Sequence, residues 1–201
     1  TREARAGVLV LVIDSHGGLD IDAVLMADML SEVKDRFHVI AAVHRAIGPA
    51  MALVLASDDL VVLEPSIPGI RLQYRPALGS GVTADQENYE RIIGLGPVAR
   101  VIVQAMFNPE LPVYVWRDSN ETRQASTTKP ERITDATEIR PGAMADGLSS
   151  DELATLGIGH QSETVADIGK SIGYPRWNRA ANLGVIMQAA ALFQRGYPLE
   201  Q

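Results

Sequence analysis

Three short apolar runs alternate with segments of helical periodicity at the start of the chain, and this order constrains the fold more than any other feature. The runs cover residues 8–13, 38–44 and 58–65, and they are rich in the β-branched types expected of strands buried on both faces. After the first run, apolar residues recur at helical spacing from Asp20 onwards; after the second, "GPAMALVLAS" has a proline where the first turn of a helix tolerates one. The series predicts an α/β fold with a mostly parallel sheet and right-handed crossovers.

The remainder of the chain is less regular, yet it predicts further elements. The pair Ser149 and Glu152 has the spacing of a capping box, and Gly157 follows as a helix stop. The other predicted elements are a loop with one short extended piece over 66–81, a helix over 85–106 interrupted at "GLGP", a strand over 111–119, a hairpin or surface loop over 120–142, and helices over 163–173 and 176–195.

Length and composition limit the classes of protein to consider. The 201 residues fit one domain over 1–201, with a sheet core over 1–140 and a C-terminal helical part over 141–201. A net charge of −7 argues against a nucleic-acid partner. The absence of cysteine excludes disulfides and thiolate ligands, and no metal-ligand spacing surrounds the four histidines, so we expect neither a metal nor a cofactor.

Location in the cell stays open at this stage. No stretch approaches the roughly 18 apolar residues of a membrane-spanning helix. The chain begins at Thr1 and enters a core strand almost at once, which is typical of a trimmed domain. We therefore expect membrane association only if an anchor was removed, and both a cytoplasmic and a membrane-associated location remain open.

The segment "DSHGGLD" directly after the first strand is the first candidate for a functional site. Gly17 and Gly18 allow the backbone to turn its amides outward, and such amides can stabilise a developing oxyanion. An ordinary strand-to-helix turn is the alternative. His16 could be an acid or base group, although a histidine that caps the following helix or faces solvent is the favoured interpretation.

Two segments of the chain resemble a known superfamily. "LVIDSHGGLDIDAVLMADML" followed by "HVIAAVHRAIGPAMALVLASDDLVVLEP" resembles the ClpP/crotonase superfamily, and in particular its NfeD-type, signal-peptide-peptidase-A-like and serine dehydrogenase proteinase-like serine peptidases. The segment "PGAMADGLSSDELATLGIGHQSETVADIGKSIG" is similar to the C-terminal pattern of the same families. The resemblance covers residues 7–65 and 141–173 and implies a spiral of ββα-type units with C-terminal helices.

The resemblance also implies where a serine peptidase site would lie. Gly17 and Gly18, with His16 beside them and Ala50 opposite, correspond to the oxyanion and substrate-binding region. The nucleophilic serine of the family falls on Pro49, or on Gly48 if the alignment shifts by one, and the base falls on Tyr74. No lysine lies between residues 66 and 108 to act as an alternative base. The sequence therefore predicts a catalytically inactive peptidase-family domain that acts as a scaffold or peptide-binding module.

Alternative functions remain open. An active serine peptidase could use Ser15, Ser57 or Ser66 as a displaced nucleophile, and a crotonase-like enzyme could bind an acyl-CoA thioester through backbone amides alone. An α/β domain of unrelated function is a further possibility. The resemblance implies homo-oligomers, for which "VIMQAAALF" is a candidate contact segment. We interpret His44 as a structural histidine, the pair Asp58 and Asp59 as a turn or ion-pair feature, and His160 as part of a polar connection.

Overall fold

The computed structural model describes residues 7–63, 72–73, 85–164 and 167–168 of the chain. Its strands are β1 (Gly7–Ser15), β2 (Phe37–Ile47), β3 (Asp59–Leu63), β4 (Leu72–Gln73), β5 (Val113–Arg117), β6 (Arg123–Ser126), β7 (Thr137–Ile139) and β8 (His160–Ser162). Its α-helices are α1 (Asp20–Val33), α2 (Met51–Ala56), α3 (Gln86–Arg91), α4 (Pro97–Phe107), α5 (Ala143–Asp146) and α6 (Ser150–Leu156), and a 3₁₀ turn (Gly48–Ala50) leads into α2.

Among the described residues, the main sheet has five strands, and its strands pair with one another in parallel. Its order is β1-β2-β3-β8, and β4 pairs with the last two residues of β2. Helix α1 connects β1 to β2, and α2 connects β2 to β3, as the alternation of apolar runs and helical segments predicts. The α/β class with a mostly parallel sheet is therefore confirmed.

Both faces of the sheet are covered along β2 and β3, which explains why the buried parts of these two strands are continuously apolar. Along β2, Ala41 and Val43 belong to the large core beneath the helices, whereas Ile40 and Ala42 belong to a smaller cluster on the opposite face. Successive side chains of a strand point to opposite faces, so a strand buried on both faces cannot alternate with polar residues. On the helical face, small residues such as Ala27 and Ala52 are completely buried and let α1 and α2 pack closely.

The predicted helix over 85–106 is interrupted where expected. Helix α3 ends at Arg91, and α4 begins at Pro97. Gly96 has φ +88° immediately before that proline, a conformation that glycine adopts readily. The backbone N–H of Gly94 donates to the carbonyl of Leu55 at 2.6 Å, so the interruption holds the α3–α4 connection against the end of α2.

The polar segment after β5 forms a second, smaller sheet. Strands β6 and β7 both pair antiparallel with β5, in the order β6-β5-β7. A hairpin within residues 120–142 is not formed, because β6 and β7 pair with β5 and not with each other; β5 and β6 make the hairpin, and β7 adds a third strand. Val113 and Val115 of β5 point into the main core, which attaches this sheet to the rest of the molecule.

The C-terminal part contains both confirmed and corrected features. The capping box at the start of α6 is confirmed in both of its hydrogen bonds, and Gly157 ends this helix with φ +67°. The prediction that His160 lies in a polar connection is wrong, because β8 pairs with β3 and aligns His160 with Val61. The part from residue 141 onwards thus contributes a strand as well as helices, and most of the helix predicted over 163–173 and all of that over 176–195 lie outside the described residues. Within the described part of the chain, no helix is long and apolar enough to cross a membrane.

Candidate functional site

Two glycine turns lie side by side at the carboxyl ends of β1 and β2. The register of these parallel strands aligns Ser15 with Ala46. Gly17 and Gly48 each follow two residues after those partners, and α1 contacts the Gly48–Ala50 turn. Ligands of parallel α/β sheets characteristically bind beyond the carboxyl ends of the strands. The two segments that the sequence singles out therefore meet at the edge of the sheet where a site is expected.

The first turn presents its backbone to open space. Gly17 and Gly18 have φ values of +153° and +154°, and a Cβ atom added to either would meet no heavy atom within 4 Å. Both residues are exposed. The turn is held from within by Ser15, whose Oγ donates to the carbonyl of Gly17 at 2.8 Å and accepts from the Gly17 N–H at 3.4 Å. Positive φ values and open space fit a backbone that a ligand can approach closely.

The second turn is buried and contains no hydroxyl group. Gly48 adopts the left-handed conformation with φ +61°, and Pro49 occupies the first turn of the helical segment. Gly48, Pro49 and Ala50 are all buried, and the N–H of Met51 donates to the carbonyls of Gly48 and Pro49. Because neither Gly48 nor Pro49 has a nucleophilic side chain, this turn can contribute only backbone groups to chemistry at the site.

The structure shows the positions of His16 and His44, the two histidines near the glycine turns. His16 is exposed, which fits the solvent-facing interpretation. The idea that it caps α1 is wrong, because Leu19 is the N-cap residue and, among the described residues, no side-chain hydrogen bond caps the helix. His44 is the extra residue of a β-bulge: Ile13 aligns with Val43 but Asp14 aligns with Arg45. The bulge sets Arg45 beside Asp14, with Nη2 at 2.9 Å from Oδ1.

The serines considered as displaced nucleophiles are engaged or outside the described residues. Ser57 is completely buried, and its Oγ donates to the carbonyl of Leu53 at 2.9 Å. Ser15 is occupied by the Gly17 turn. Ser66 lies outside the described residues, as does Tyr74, the residue at the predicted base position. Gln73, which precedes Tyr74, is buried and donates from Nε2 to the carbonyl of Ala145 at 2.5 Å.

A charged cluster lies at the opposite edge of the sheet, away from the glycine turns. His38 and Asp59, at the starts of β2 and β3, are 2.6 Å apart between Nε2 and Oδ2, and Asp58 lies between Lys34 and the other ring nitrogen of His38. The predicted ion-pair role is confirmed for Asp58, which pairs with Lys34, whereas Asp59 contacts the imidazole of His38. This cluster connects the starts of β2 and β3. Because the glycine turns follow the opposite ends of the strands, the cluster supplies no acid or base to them. In the part of the chain that is described, no group of three histidine and carboxylate side chains is arranged to hold a metal ion.

Sequence reasoning missed one buried pair next to the first turn. Asp20, the first residue of α1, is completely buried and accepts a hydrogen bond from the hydroxyl of Tyr89 in α3 at 3.1 Å. An acidic residue at the start of a helix is ordinarily explained by the helix dipole, so nothing in the sequence distinguishes Asp20 from the exposed Asp22. The pairing depends on an element 69 residues further along the chain.

Comparison with known proteins gives no match. No family model matches this chain, and no match was found among curated protein sequences or among solved structures.

Proposed function

We propose that this protein is a ClpP/NfeD-like member of the ClpP/crotonase superfamily, with the spiral fold of that superfamily, and that it binds extended peptides without cleaving them. The observation that carries the proposal is the side-by-side placement of the Gly17–Gly18 and Gly48–Ala50 turns beyond the ends of adjacent parallel strands. Backbone amides in such a position can donate to a carbonyl oxygen of a ligand. A peptide offers one at every residue.

The absence of proteolysis is inferred from side-chain chemistry. Peptide hydrolysis through an acyl-enzyme requires a nucleophile activated by an adjacent base. At the family's nucleophile position this chain has Pro49 or Gly48, and Ser57 is buried with its hydroxyl engaged. The adjacent turns can therefore hold a carbonyl group, but neither Gly48 nor Pro49 has a side chain that attacks it.

Labelling with a fluorophosphonate probe separates a binding protein from an active serine peptidase. We expect no covalent labelling of the protein by intact-mass analysis under conditions that label a control serine protease completely. Stoichiometric modification would reject the inactive function, and mapping the modified serine would identify the displaced nucleophile. The Ser15→Ala and Ser66→Ala variants then show which candidate was responsible.

Peptide binding is tested directly by fluorescence anisotropy. Fluorescein-labelled octapeptides without secondary structure are titrated with the protein, and we expect saturable binding that the Gly17→Ala and Gly18→Ala substitutions weaken. Alanine disfavours φ near +153°, so each substitution reorients the amides without removing a side chain. Gly7→Ala is the matched control, because Gly7 lies at the far end of β1. Equal affinity in all four proteins would reject a role for the turn.

A crotonase-like activity is the second candidate, because the Gly48–Ala50 turn has no hydroxyl group and a crotonase-like site needs none. Binding of a thioester carbonyl by two backbone turns requires no nucleophile, so Pro49 does not exclude it. Thermal-shift titration with acetyl-CoA and a longer acyl-CoA tests this function, and a concentration-dependent rise in melting temperature would favour it over peptide binding. The same titration with free CoA is the control.

We further propose that the protein forms homo-oligomers. Among the described residues, the large apolar side chains that remain exposed all belong to β1, α1 or the turn between them, and Ile21, Leu25 and Met29 form a stripe along α1. Sedimentation velocity should give a mass of at least two chains of 21.7 kDa each. Leu25→Glu should lower that mass if the stripe is the contact, and a monomeric wild-type protein would reject the proposal.

A further inference from the structure

The start of α1 reverses the usual placement of polar and apolar side chains. Leu19, at the N-cap position, is 51% exposed, whereas the next residue, Asp20, is completely buried. Aspartate is among the best N-cap residues and leucine among the poorest. Burial of a leucine side chain stabilises the folded protein, whereas burial of a carboxyl group destabilises it. The local sequence therefore favours the opposite arrangement, with Asp20 at the surface and Leu19 in the core.

A contact from outside the segment stabilises the observed arrangement. The Tyr89 hydroxyl donates to Oδ1 of Asp20 at 3.1 Å, and both side chains are completely buried. Because a buried hydrogen bond to a carboxyl group offsets the cost of removing it from water, this contact favours the inward position of Asp20. With Asp20 inward, Leu19 points outward, and the preceding Gly17–Gly18 turn faces open space.

Tyr89 is itself fixed by the framework of the molecule. Its ring packs edge-to-face against Phe107 at the end of α4, with 5.4 Å between ring centroids. Helix α3 is also tied to the middle of α1 by the ion pair of Arg91 and Asp28, 2.7 Å between Nη2 and Oδ2. The hydroxyl of Tyr89 is therefore held in place independently of the glycine turn, as a positioning group must be.

We propose that Tyr89 is a positioning residue for the candidate site: through Asp20 it selects the start of α1 that leaves the Gly17–Gly18 turn open to a ligand. The inference concerns the same glycine turn as the proposed function, and it rests on that function only for the identity of the ligand. Loss of the Tyr89 hydroxyl removes a buried hydrogen bond that favours the inward position of Asp20, and the first turn of α1 shifts towards the arrangement that its local sequence favours.

Amide resonances of the two glycines test this inference without any ligand. In ¹H–¹⁵N correlation spectra, we expect the Gly17 and Gly18 signals of Tyr89→Phe to shift and broaden relative to the wild type. Asp20→Asn keeps an acceptor oxygen for the tyrosine hydroxyl and should leave these signals close to their wild-type positions. Tyr114→Phe, a matched change on β5, should not move them. Unchanged Gly17 and Gly18 signals in Tyr89→Phe would overturn the inference.

A second variant keeps the test decisive if Tyr89→Phe does not fold. Phe107→Leu loosens the packing of the Tyr89 ring without touching the hydrogen bond, and it should move the same two glycine signals in the same direction by a smaller amount. If neither variant moves them, Tyr89 has no positioning role.

Peptide titration of the same variants separates this inference from the proposed function. If both hold, Tyr89→Phe raises the dissociation constant of the labelled octapeptide about tenfold, as expected for a hydrogen-bond contribution near 1.4 kcal/mol. If the glycine signals move but the wild-type protein binds no peptide, the positioning role stands and peptide binding is rejected.

Discussion

His38 and Asp59 connect the starts of two neighbouring parallel strands, with 2.6 Å between Nε2 and Oδ2. Asp59 aligns with Ile40 across the β2–β3 pair, and Asp58 accepts from the N–H of Val39 at 2.9 Å, so the two carboxylates hold β2 and β3 in register at this edge. At the starts of β2 and β3, the main sheet is thus fastened by side-chain contacts as well as by its backbone pairing.

Removing this contact should lower the free energy of unfolding. We expect His38→Ala to destabilise the protein by about 1 kcal/mol, because the pair is only partly exposed and its hydrogen bond involves a carboxylate. Urea denaturation monitored by circular dichroism measures the difference. Arg117→Ala is the control, since its ion pair with Glu121 is largely exposed and should contribute little. Equal losses in the two variants would contradict a specific role for His38.

The left-handed conformation of Gly48 predicts a strict requirement for glycine. At φ +61°, any Cβ atom approaches the backbone carbonyl oxygen, and Gly48→Ala should cost about 1–2 kcal/mol. The comparison is Gly7→Ala, since Gly7 does not have a positive φ. Thermal melts of the two variants check this, and a Gly48→Ala protein as stable as the wild type would show that the turn adopts another conformation in solution.

The capping box of α6 predicts that substitutions at Ser149 and Glu152 lower the free energy of unfolding by different amounts. Ser149 accepts from the N–H of Glu152 at 3.3 Å, and the Glu152 carboxylate accepts from the N–H of Ser149 at 2.9 Å. Ser149→Ala should lower the free energy of unfolding by about 1 kcal/mol, and Glu152→Gln should lower it less, because an amide oxygen can still accept. Chemical denaturation gives both values, with Thr134→Ala on an exposed loop as control. A larger loss for Glu152→Gln would contradict the box.

Asp118 predicts a dependence of stability on acidic pH. The pKa of its carboxyl group is lowered by the hydrogen bond from Gln124 and by backbone N–H donors of Thr122 and Asn120. A carboxyl group whose pKa is lower in the folded state than in the unfolded state stabilises the folded protein. This contribution is fully present above the unfolded pKa, near 4, and is lost as the pH falls through the folded pKa. Asp118→Asn should therefore be less stable than the wild type at pH 6, and the difference should shrink below about pH 4. Denaturant midpoints measured across this pH range test the sign, with Asp135→Asn as the exposed control.

Features that depend on neighbours in the sequence could be predicted, because their physical causes are local. The apolar runs and helical spacings gave the alternating strands and helices up to Leu63, and the residues Gly96 and Pro97 gave the break before α4. The Ser149 capping box is likewise complete within four residues. The Gly17–Gly18 turn followed as well, because it comes directly after the first apolar run; its place beside the Gly48–Ala50 turn depends on the pairing of β1 with β2.

Pairings between distant elements were decided by the tertiary structure. Strand β8 carries no sequence signal strong enough to mark it, yet it extends the sheet because β3 offers it an unpaired edge. The Tyr89–Asp20 contact and the outward position of Leu19 run against local preference and exist because α3 and α4 bring a buried hydroxyl to the start of α1. The sequence by itself determined the strands and helices up to Leu63 and the break before α4. The tertiary structure decided that β8 joins the sheet and which buried polar groups meet, because hydrogen bonds across 69 residues leave no periodic trace in the chain.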